Sequence, residues 1–127
     1  MPNPHILIIE DDPIIQKAYQ LKFGKVGIEL EAISDGKKAL ARVGAESSNL
    51  PSVVILDLML PYVSGFELLE TMRKTKGWDN VPVIVLSNLS QEVDRAKVEA
   101  LGVKDYLVKA DTRIDDVVAK VKSYLKK

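Results

Sequence analysis

The sequence predicts an α/β domain in which a parallel sheet of five strands carries helices on both faces. Apolar runs short enough for buried strands alternate five times with amphipathic helical patterns along the 127 residues. The central run, residues 53–56, consists of four apolar β-forming residues and ends at Asp57, which is typical of a strand buried on both faces. No repeat or low-complexity linker interrupts the alternation, so we expect residues 1–127 to form one domain.

The composition narrows the classes of function. The 18 basic and 18 acidic side chains give a formal charge of zero, so the total charge favours neither nucleic acid nor an anionic membrane as a partner. The absence of Cys excludes a disulfide framework, a thiol nucleophile and a zinc–thiolate site. No apolar run approaches the roughly 20 residues of a membrane span. We therefore expect a soluble protein of the reducing cytoplasm.

The first strand and helix are defined by residues 5–21. Residues 5–9 are predicted to form a buried strand that ends in acidic residues, and its first residue, His5, is expected at the surface. Asp12 caps a helix that has Pro13 at its first position, where the missing N–H costs nothing. The core face of this helix is predicted from its apolar spacing to consist of Ile14, Ala18 and Leu21.

Capping signals begin the second and third helices. A more polar strand over residues 29–33 suits a position near the edge of the sheet, and Asp35 opens the helix that follows. After the central strand, Ser64 and Glu67 have the S-x-x-E spacing of a capping box, which predicts a helix over residues 65–74. The inward-facing side chains of the two helices are predicted to be Ala39, Leu40, Val43, Phe66, Leu69 and Met72.

Two further strand–helix pairs complete the pattern. Residues 83–87 form a fully apolar run that ends in Ser87, and Ser90 is predicted to cap a helix that stops near Gly102. The fifth strand, residues 105–109, ends in Lys109. The last helix is predicted to pack on the core through Ile114, Val117, Val118, Val121 and Leu125.

Four of the five predicted strands end in groups that can handle phosphate or a metal ion. These groups are Glu10 with Asp11, Asp57, Ser87 and Lys109. We expect them to meet, because parallel strands end at one edge of the sheet and ligands of open α/β sheets bind there. Three carboxylates at one rim would raise one another's pKa unless cations offset them. Lys109 would supply one positive charge and a divalent ion two more.

Magnesium is an ion that fits this rim. It prefers oxygen ligands and is typically held by one or two carboxylates together with waters and phosphate. A carboxylate beside a metal, an amine and a hydroxyl is equipped to attack phosphorus and to neutralise the equatorial oxygens during transfer. The sequence therefore predicts that Asp57 is the nucleophile of a phosphoryl transfer.

Four motifs stand in order at the strand ends. They are Glu10-Asp11-Asp12 after Ile-Leu-Ile-Ile, Asp57-Leu-Met-Leu-Pro61 followed by Gly65, Val-Leu-Ser87, and Tyr106-Leu-Val-Lys109. Together they resemble the CheY-like receiver domains of two-component response regulators, and the resemblance covers the whole chain. It implies a doubly wound, flavodoxin-like (βα)5 fold with strand order 2-1-3-4-5.

The same resemblance assigns roles to residues. It implies that Asp57 accepts the phosphoryl group, that Ser87 follows this group and that Lys109 forms its ion pair. Tyr106 would be the aromatic switch, acting together with Ser87. The implied Mg²⁺ ligands are Glu10, Asp11, Asp57 and the backbone carbonyl of Met59.

The resemblance also implies partners. The phosphoryl group would come from a sensor histidine kinase or a histidine phosphotransfer protein. It would switch the face formed by the fourth helix, fifth strand and fifth helix toward a downstream protein or output domain. A homodimer that forms on phosphorylation is a further expectation, whereas direct nucleic-acid and membrane contacts are not expected. Such a protein catalyses its own phosphorylation and dephosphorylation without being a turnover enzyme.

Some positions depart from the receiver pattern or extend it. Ala110 follows Lys109 where receivers usually have proline, and Asn88 places a bulkier side chain than usual after Ser87. In receivers, the side chains two positions after the acceptor and two after the hydroxyl residue flank the path of attacking water. Here they are Met59 and Leu89, which cannot orient a water, so we expect a long-lived aspartyl phosphate.

Two other classes of function are compatible with parts of the pattern. A magnesium-dependent phosphohydrolase with an aspartyl nucleophile needs a general acid, commonly two residues after the nucleophile, where this chain has Met59. A scaffold that keeps the fold without being phosphorylated would not need the acidic pair, Asp57 and Lys109 together. The sequence fits both a stand-alone regulator and one domain of a longer protein.

Overall fold

The alternation of strands and helices follows the predicted order in the structure, a computed structural model that describes residues 4–45, 49–89 and 91–126. The strands are β1 (His5–Ile9), β2 (Glu29–Ile33), β3 (Val53–Leu56), β4 (Val83–Ser87) and β5 (Asp105–Val108). The helices are α1 (Pro13–Lys25), α2 (Gly36–Gly44), α3 (Gly65–Arg73), α4 (Glu92–Ala100) and α5 (Ile114–Leu125). Short 3₁₀ turns occupy Trp78–Asn80 and Lys109–Asp111.

The five strands form one parallel sheet in the order β2-β1-β3-β4-β5, as predicted. The central strands β1, β3 and β4 are almost wholly buried, and β2 and β5 at the edges are only partly so. In the register of the sheet, Ile9 lies beside Leu56. The residues that follow these two, Glu10 and Asp57, therefore leave the sheet next to each other.

Apolar side chains fill both faces of the sheet. On one face α1 and α5 contribute Tyr19, Phe23, Val117 and Val121, and on the other α2, α3 and α4 contribute Ala39, Val43, Leu68, Leu69, Met72 and Val98. Alternate residues of the central strands point to the two faces, so every strand position from Ile6 to Ile9 is buried. This double coverage explains why the strands read as continuous apolar runs.

Side-chain caps begin the first three helices where the sequence predicted them. The carboxylate of Asp12 accepts from the Ile14 N–H at 2.9 Å, and that of Asp35 accepts from the Lys38 N–H at 2.8 Å. Ser64 Oγ accepts from the Glu67 N–H at 3.3 Å. These bonds satisfy N–H groups that have no partner within the helix. The predicted cap of α4, Ser90, lies outside the described residues.

The predicted core face of α1 is wrong. Ile14 and Leu21 are 79% and 61% exposed, whereas Tyr19 and Phe23 are buried and their rings stack with centroids 6.2 Å apart. The two aromatic side chains, four residues apart, offer more apolar area to the sheet than the aliphatic set does. In α3 the core positions are Leu68, Leu69 and Met72, and Phe66 is only half-buried.

A close approach holds the segment after β3 in place. A Cβ atom at Gly65 would lie 2.5 Å from the carbonyl oxygen of Asp57 and 2.6 Å from the Cα of Leu58, so only glycine fits. The Gly65 N–H also donates to the Leu58 carbonyl at 3.0 Å. The start of α3 is thereby packed directly against Asp57 and Leu58, the two residues that follow the central strand. In the part of the chain that the structure describes, no helix has the length and apolarity to span a membrane.

Candidate functional site

The carboxyl ends of the strands bring the predicted polar residues together. Glu10 is 2% exposed, Asp57 4% and Ser87 0%, and they are the buried polar or charged residues among those the structure describes. The sheet itself places them, because the Asp57 N–H donates to the Ile9 carbonyl at 3.1 Å and Ser87 is the last residue of β4. Burying such groups is costly unless they are paired. These three buried groups therefore require partners for their polar atoms.

Asp57 has partners on both carboxylate oxygens. Its Oδ1 accepts from the Ser87 hydroxyl at 2.9 Å and from the Met59 N–H at 3.0 Å. Its Oδ2 lies 2.7 Å from Lys109 Nζ, which is also 2.5 Å from Glu10 Oε1. The Lys109 ammonium therefore bridges the two buried carboxylates. We call Glu10, Asp11, Asp57, Ser87 and Lys109 the carboxyl-end cluster.

The pKa shifts in this cluster have identifiable causes. Burial raises the pKa of Glu10 to about 7, although hydrogen bonds from Lys109 and from the Asp12 N–H act in the opposite direction. Burial alone would lower the pKa of Lys109, but its hydrogen bonds to Asp57 and Glu10 outweigh burial and the pKa is raised. Lys109 is thus a permanent cation at neutral pH, and the carboxylates around it are not fully compensated.

The carboxyl-end cluster also fits a divalent cation. Glu10, Asp11 and Asp57 each offer a carboxylate oxygen, and these oxygens lie within 4.8 Å of one another. When all three are ionised, the single ammonium of Lys109 offsets one of three negative charges. An all-oxygen donor set with excess negative charge is the kind that Mg²⁺ prefers. The Met59 carbonyl is not among the contacts the structure gives, and its role as a ligand stays a prediction.

A series of contacts leads from Asp57 to the predicted switch residue. The Leu89 N–H donates to Ser87 Oγ at 3.4 Å, and the Leu89 carbonyl accepts from the Tyr106 hydroxyl at 2.5 Å. Tyr106 is 9% exposed, and burial raises the pKa of its hydroxyl. The guanidinium of Arg95 lies over the Tyr106 ring, 4.8 Å from its centroid. Nothing in the sequence pattern had singled out Arg95.

The two departures from the receiver pattern lie close together. The Asn88 side-chain oxygen accepts from the Ala110 N–H at 3.2 Å, so Asn88 ties the segment after β4 to the turn after β5. All peptide bonds are trans in the described segments, the one between Lys109 and Ala110 included. Asn88 remains exposed beside the cluster.

A second polar cluster, which the sequence did not reveal, lies toward the amino ends of the strands. Arg42 Nε donates to Glu31 Oε2 at 2.9 Å, and His5 Nε2 lies 3.0 Å from Glu31 Oε1. The His5 side chain is only 11% exposed, so its expected surface position is wrong. The guanidinium of Arg42 also lies over the buried Trp78 ring at 5.3 Å. We call His5, Glu31 and Arg42 the amino-end cluster.

The strand order and the acidic rim define a doubly wound α/β protein whose site lies at the carboxyl edge of the sheet. Comparison with known proteins is more specific. Residues 6–122 match the family described as the response regulator receiver domain, and the chain belongs to this family. It is therefore a receiver domain of the kind found in two-component response regulators, which are signalling proteins.

Several relatives are transcriptional regulators. The chain is 33% identical to the transcriptional activator protein PfeR of Pseudomonas aeruginosa, with 96% of the chain and 40% of PfeR covered. It is 32% identical to the phosphate regulon transcriptional regulatory protein PhoB of Rhizobium meliloti, with 98% of the chain and 53% of PhoB covered. The chain thus spans about half the length of the curated relatives it matches.

Solved structures support the fold. The receiver domain of Francisella response regulator 1452 superposes with a TM-score of 0.84 at 34% identity and 98% coverage of each chain. The receiver domain of sensor histidine kinase PA1611 from Pseudomonas aeruginosa, described with magnesium in its active site cleft, has a TM-score of 0.83. Its identity is 21%, with 99% of this chain and 100% of that one covered, so this likeness concerns the fold.

Proposed function

We propose that Asp57 is the phospho-acceptor of this receiver domain. The observation that carries the proposal is the environment of the Asp57 carboxylate: it is buried at the carboxyl end of the central strand, with the Ser87 hydroxyl on one oxygen and the Lys109 ammonium on the other. Once the carboxylate carries a phosphoryl group, the same hydroxyl and ammonium can contact the phosphoryl oxygens and stabilise their charge.

In the proposed reaction an Asp57 carboxylate oxygen forms a bond to the phosphorus of a phosphohistidine. The bond between phosphorus and the donor nitrogen breaks, and its electron pair stays on the imidazole. Lys109, which compensates the carboxylate before transfer, then compensates the oxygens of the acquired phosphoryl group. The Ser87 hydroxyl turns from the carboxylate to one of those oxygens. Both side chains act by charge and position, without covalent change.

We further propose that Glu10, Asp11 and Asp57 hold Mg²⁺, with the backbone carbonyl of Met59 as an additional ligand. When bound, the ion would neutralise charge on the phosphoryl oxygens during transfer. The support is the cluster of three carboxylates, whose negative charge is greater than the positive charge of the one nearby ammonium, Lys109. Of the three carboxylate ligands Asp11 is the exposed one, so it would be accessible to an ion arriving from solvent.

The donor is proposed to be a cytoplasmic sensor histidine kinase or histidine phosphotransfer protein. The chain then acts as a phosphorylated signal carrier, not as a turnover enzyme, since the residue two positions after Asp57 is Met59 and not a general acid. Phosphorylation is proposed to bias the surface formed by α4, β5 and α5 toward a downstream protein, an output domain or a second copy of the chain.

Intact-mass measurement tests the acceptor assignment. The parent chain, incubated with acetyl phosphate and Mg²⁺, should gain the mass of one phosphoryl group, and Asp57→Ala should gain none. Asp115→Asn is the matched control, because Asp115 is an exposed acid that pairs with Lys22 in another part of the surface. Phosphorylation of Asp57→Ala, or none in the parent, would reject the proposal.

Thermal unfolding tests the metal assignment. Mg²⁺ should raise the Tm of the parent by mass action and by relieving repulsion among the carboxylates. Asp11→Asn removes one proposed ligand and should lose most of that shift. Equal shifts in the parent and in Asp11→Asn would remove Asp11 from the site.

A further inference from the structure

Helix α4 is joined to the rest of the domain by few side chains. Of its nine residues, all within the described part of the chain, Val98 alone is buried. Two cations of the helix contact aromatic rings on its two sides: Arg95 lies 4.8 Å from the centroid of Tyr106 in β5, and Lys97 lies 4.8 Å from that of Phe66 in α3. With so little apolar burial, these contacts have a large share in setting the position of the helix.

The contact of Arg95 differs from that of Lys97 because its ring belongs to the series that starts at Asp57. The Ser87 hydroxyl donates to Asp57, the Leu89 N–H donates to Ser87 and the Tyr106 hydroxyl donates to the Leu89 carbonyl. Arg95 covers the ring whose hydroxyl ends this series. The Phe66 ring under Lys97 has no such connection among the contacts of the described residues.

We propose that Arg95 is a positioning residue of the switch, whose stacked guanidinium couples the position of α4 to the buried position of the Tyr106 ring. The inference rests on the proposed function of Asp57. A cation over the face of a tyrosine ring is attracted by the electron density of that face, and the attraction is lost when the ring moves away. Arg95 therefore stabilises the buried ring, and movement of the ring releases α4.

Coupling of this kind has a measurable consequence at the acceptor. In the proposed coupling the phosphorylated state is the one in which the Tyr106 ring is buried, so a residue that stabilises the buried ring must also raise the affinity of Asp57 for a phosphoryl mimic. Removal of the Arg95 side chain should lower that affinity although Arg95 does not touch the site. It should also abolish the change in α4 that follows binding of the phosphoryl mimic at Asp57.

The experiment compares Arg95→Ala with Lys97→Ala as matched control. Each removes one cation–ring contact from the same helix, two positions apart, and only Arg95 touches Tyr106. Beryllofluoride with Mg²⁺ serves as the phosphoryl mimic, its affinity is measured by calorimetric titration, and amide hydrogen exchange is followed over Glu92–Ala100 with and without it. Arg95→Lys is the conservative variant that keeps a cation over the ring.

We expect Arg95→Ala to bind beryllofluoride about fivefold more weakly, which corresponds to about 1 kcal/mol, and its α4 amides to lose their response to the mimic. Lys97→Ala should stay within about twofold of the parent and keep the response, and Arg95→Lys should recover most of both. If Arg95→Ala and Lys97→Ala behave alike while the parent responds, the coupling is rejected and the acceptor assignment stands. A folded parent that takes up no beryllofluoride would overturn the proposed function and the coupling with it.

Discussion

The two ends of the sheet carry polar clusters with opposite charge balance. In the amino-end cluster one carboxylate, Glu31, has the guanidinium of Arg42 on one side and the ring of His5 on the other. In the carboxyl-end cluster the ammonium of Lys109 pairs with two carboxylates, Glu10 and Asp57, and a third carboxylate, Asp11, lies beside them. Both clusters are partly or wholly buried, so burial alone does not distinguish them.

The pKa shifts follow this difference. Burial acts to raise the pKa of Glu31 as it does that of Glu10. At Glu31, however, the hydrogen bonds from Arg42 and His5 outweigh burial, and the net pKa is lowered. At Glu10 burial prevails and the pKa rises to about 7. A balanced cluster stabilises the fold by itself. An unbalanced one leaves negative charge that a metal ion and a phosphoryl-transfer site can use.

The largest effect is expected from removal of Lys109, because the charged groups of the carboxyl-end cluster would then all be negative. Lys109→Ala leaves two buried carboxylates without their cation, so the free energy of unfolding should fall by about 3 kcal/mol without Mg²⁺. Mg²⁺ should restore most of the lost stability. The substitution removes a cation that competes with Mg²⁺ for the carboxylates, and it leaves all the proposed Mg²⁺ ligands in place. The variant should also fail to show the conformational change that follows phosphorylation. Urea unfolding with and without Mg²⁺ measures the first effect, and unchanged stability would contradict it.

A smaller effect concerns the lifetime of the phosphoryl group at the carboxyl end. Met59 is exposed and Leu89 half-buried, and neither can hold a water in line with phosphorus. The double change Met59→Asn with Leu89→Glu should speed autodephosphorylation by about tenfold, equivalent to about 1.4 kcal/mol of barrier. The rate of loss of the phosphorylated mass measures it. An equal rate in parent and double mutant would show that another group, with Asn88 the first candidate, governs water access.

The matching change at the amino end should affect stability alone. Arg42→Ala removes two hydrogen bonds to Glu31 and the cation above Trp78, so the free energy of unfolding should fall by about 1 kcal/mol. Phosphorylation by acetyl phosphate and the Mg²⁺-dependent Tm shift should stay at the parent level. A variant that lost either response would break the division between the two ends of the sheet.

The smallest expected effect is on the acid side of the stability curve. Because the pKa of Glu31 is lowered by folding, its contribution is complete above its unfolded pKa of about 4.3 and is lost as pH falls through the folded value. Glu31→Gln should therefore cost stability at pH 6 and progressively less toward pH 3. Because the Glu31 side chain is 34% exposed and solvent screens its charge, the difference should stay below about 1 kcal/mol. A pH-independent difference would show that Glu31 acts by shape and not by charge.

The parallel sheet and the carboxyl-end cluster could be predicted because both leave a pattern in the sequence, whereas the strand order was predicted from the resemblance to receiver domains. Apolar runs locate the strands, and parallel strands must end at one edge, so Asp57, Ser87 and Lys109 come together whatever the helices do. The prediction needed no knowledge of side-chain packing. The roles of these residues remain proposals that rest on chemistry and family.

Features that depend on helix rotation or strand register could not be predicted. The core face of α1 was assigned from aliphatic spacing, whereas the helix turns Tyr19 and Phe23 toward the sheet. The amino-end cluster needs β2 to lie beside β1 in a register that sets His5 opposite Glu29, and it needs α2 to present Arg42 to Glu31. No local pattern records such contacts between distant residues.

The buried indole beneath Arg42 decides which optical signals the protein can give. Trp78 is the single tryptophan of the chain and lies in the turn before β4, whereas Ser87 is the last residue of that strand, about 13 Å beyond its first residue, Val83. Its fluorescence emission should report unfolding and any loosening of Arg42, whereas Ser87 and the residues of the proposed switch lie at the other end of β4. A reporter of the switch has to be introduced, and the exposed Val93 at the start of α4 is a suitable position for a second tryptophan.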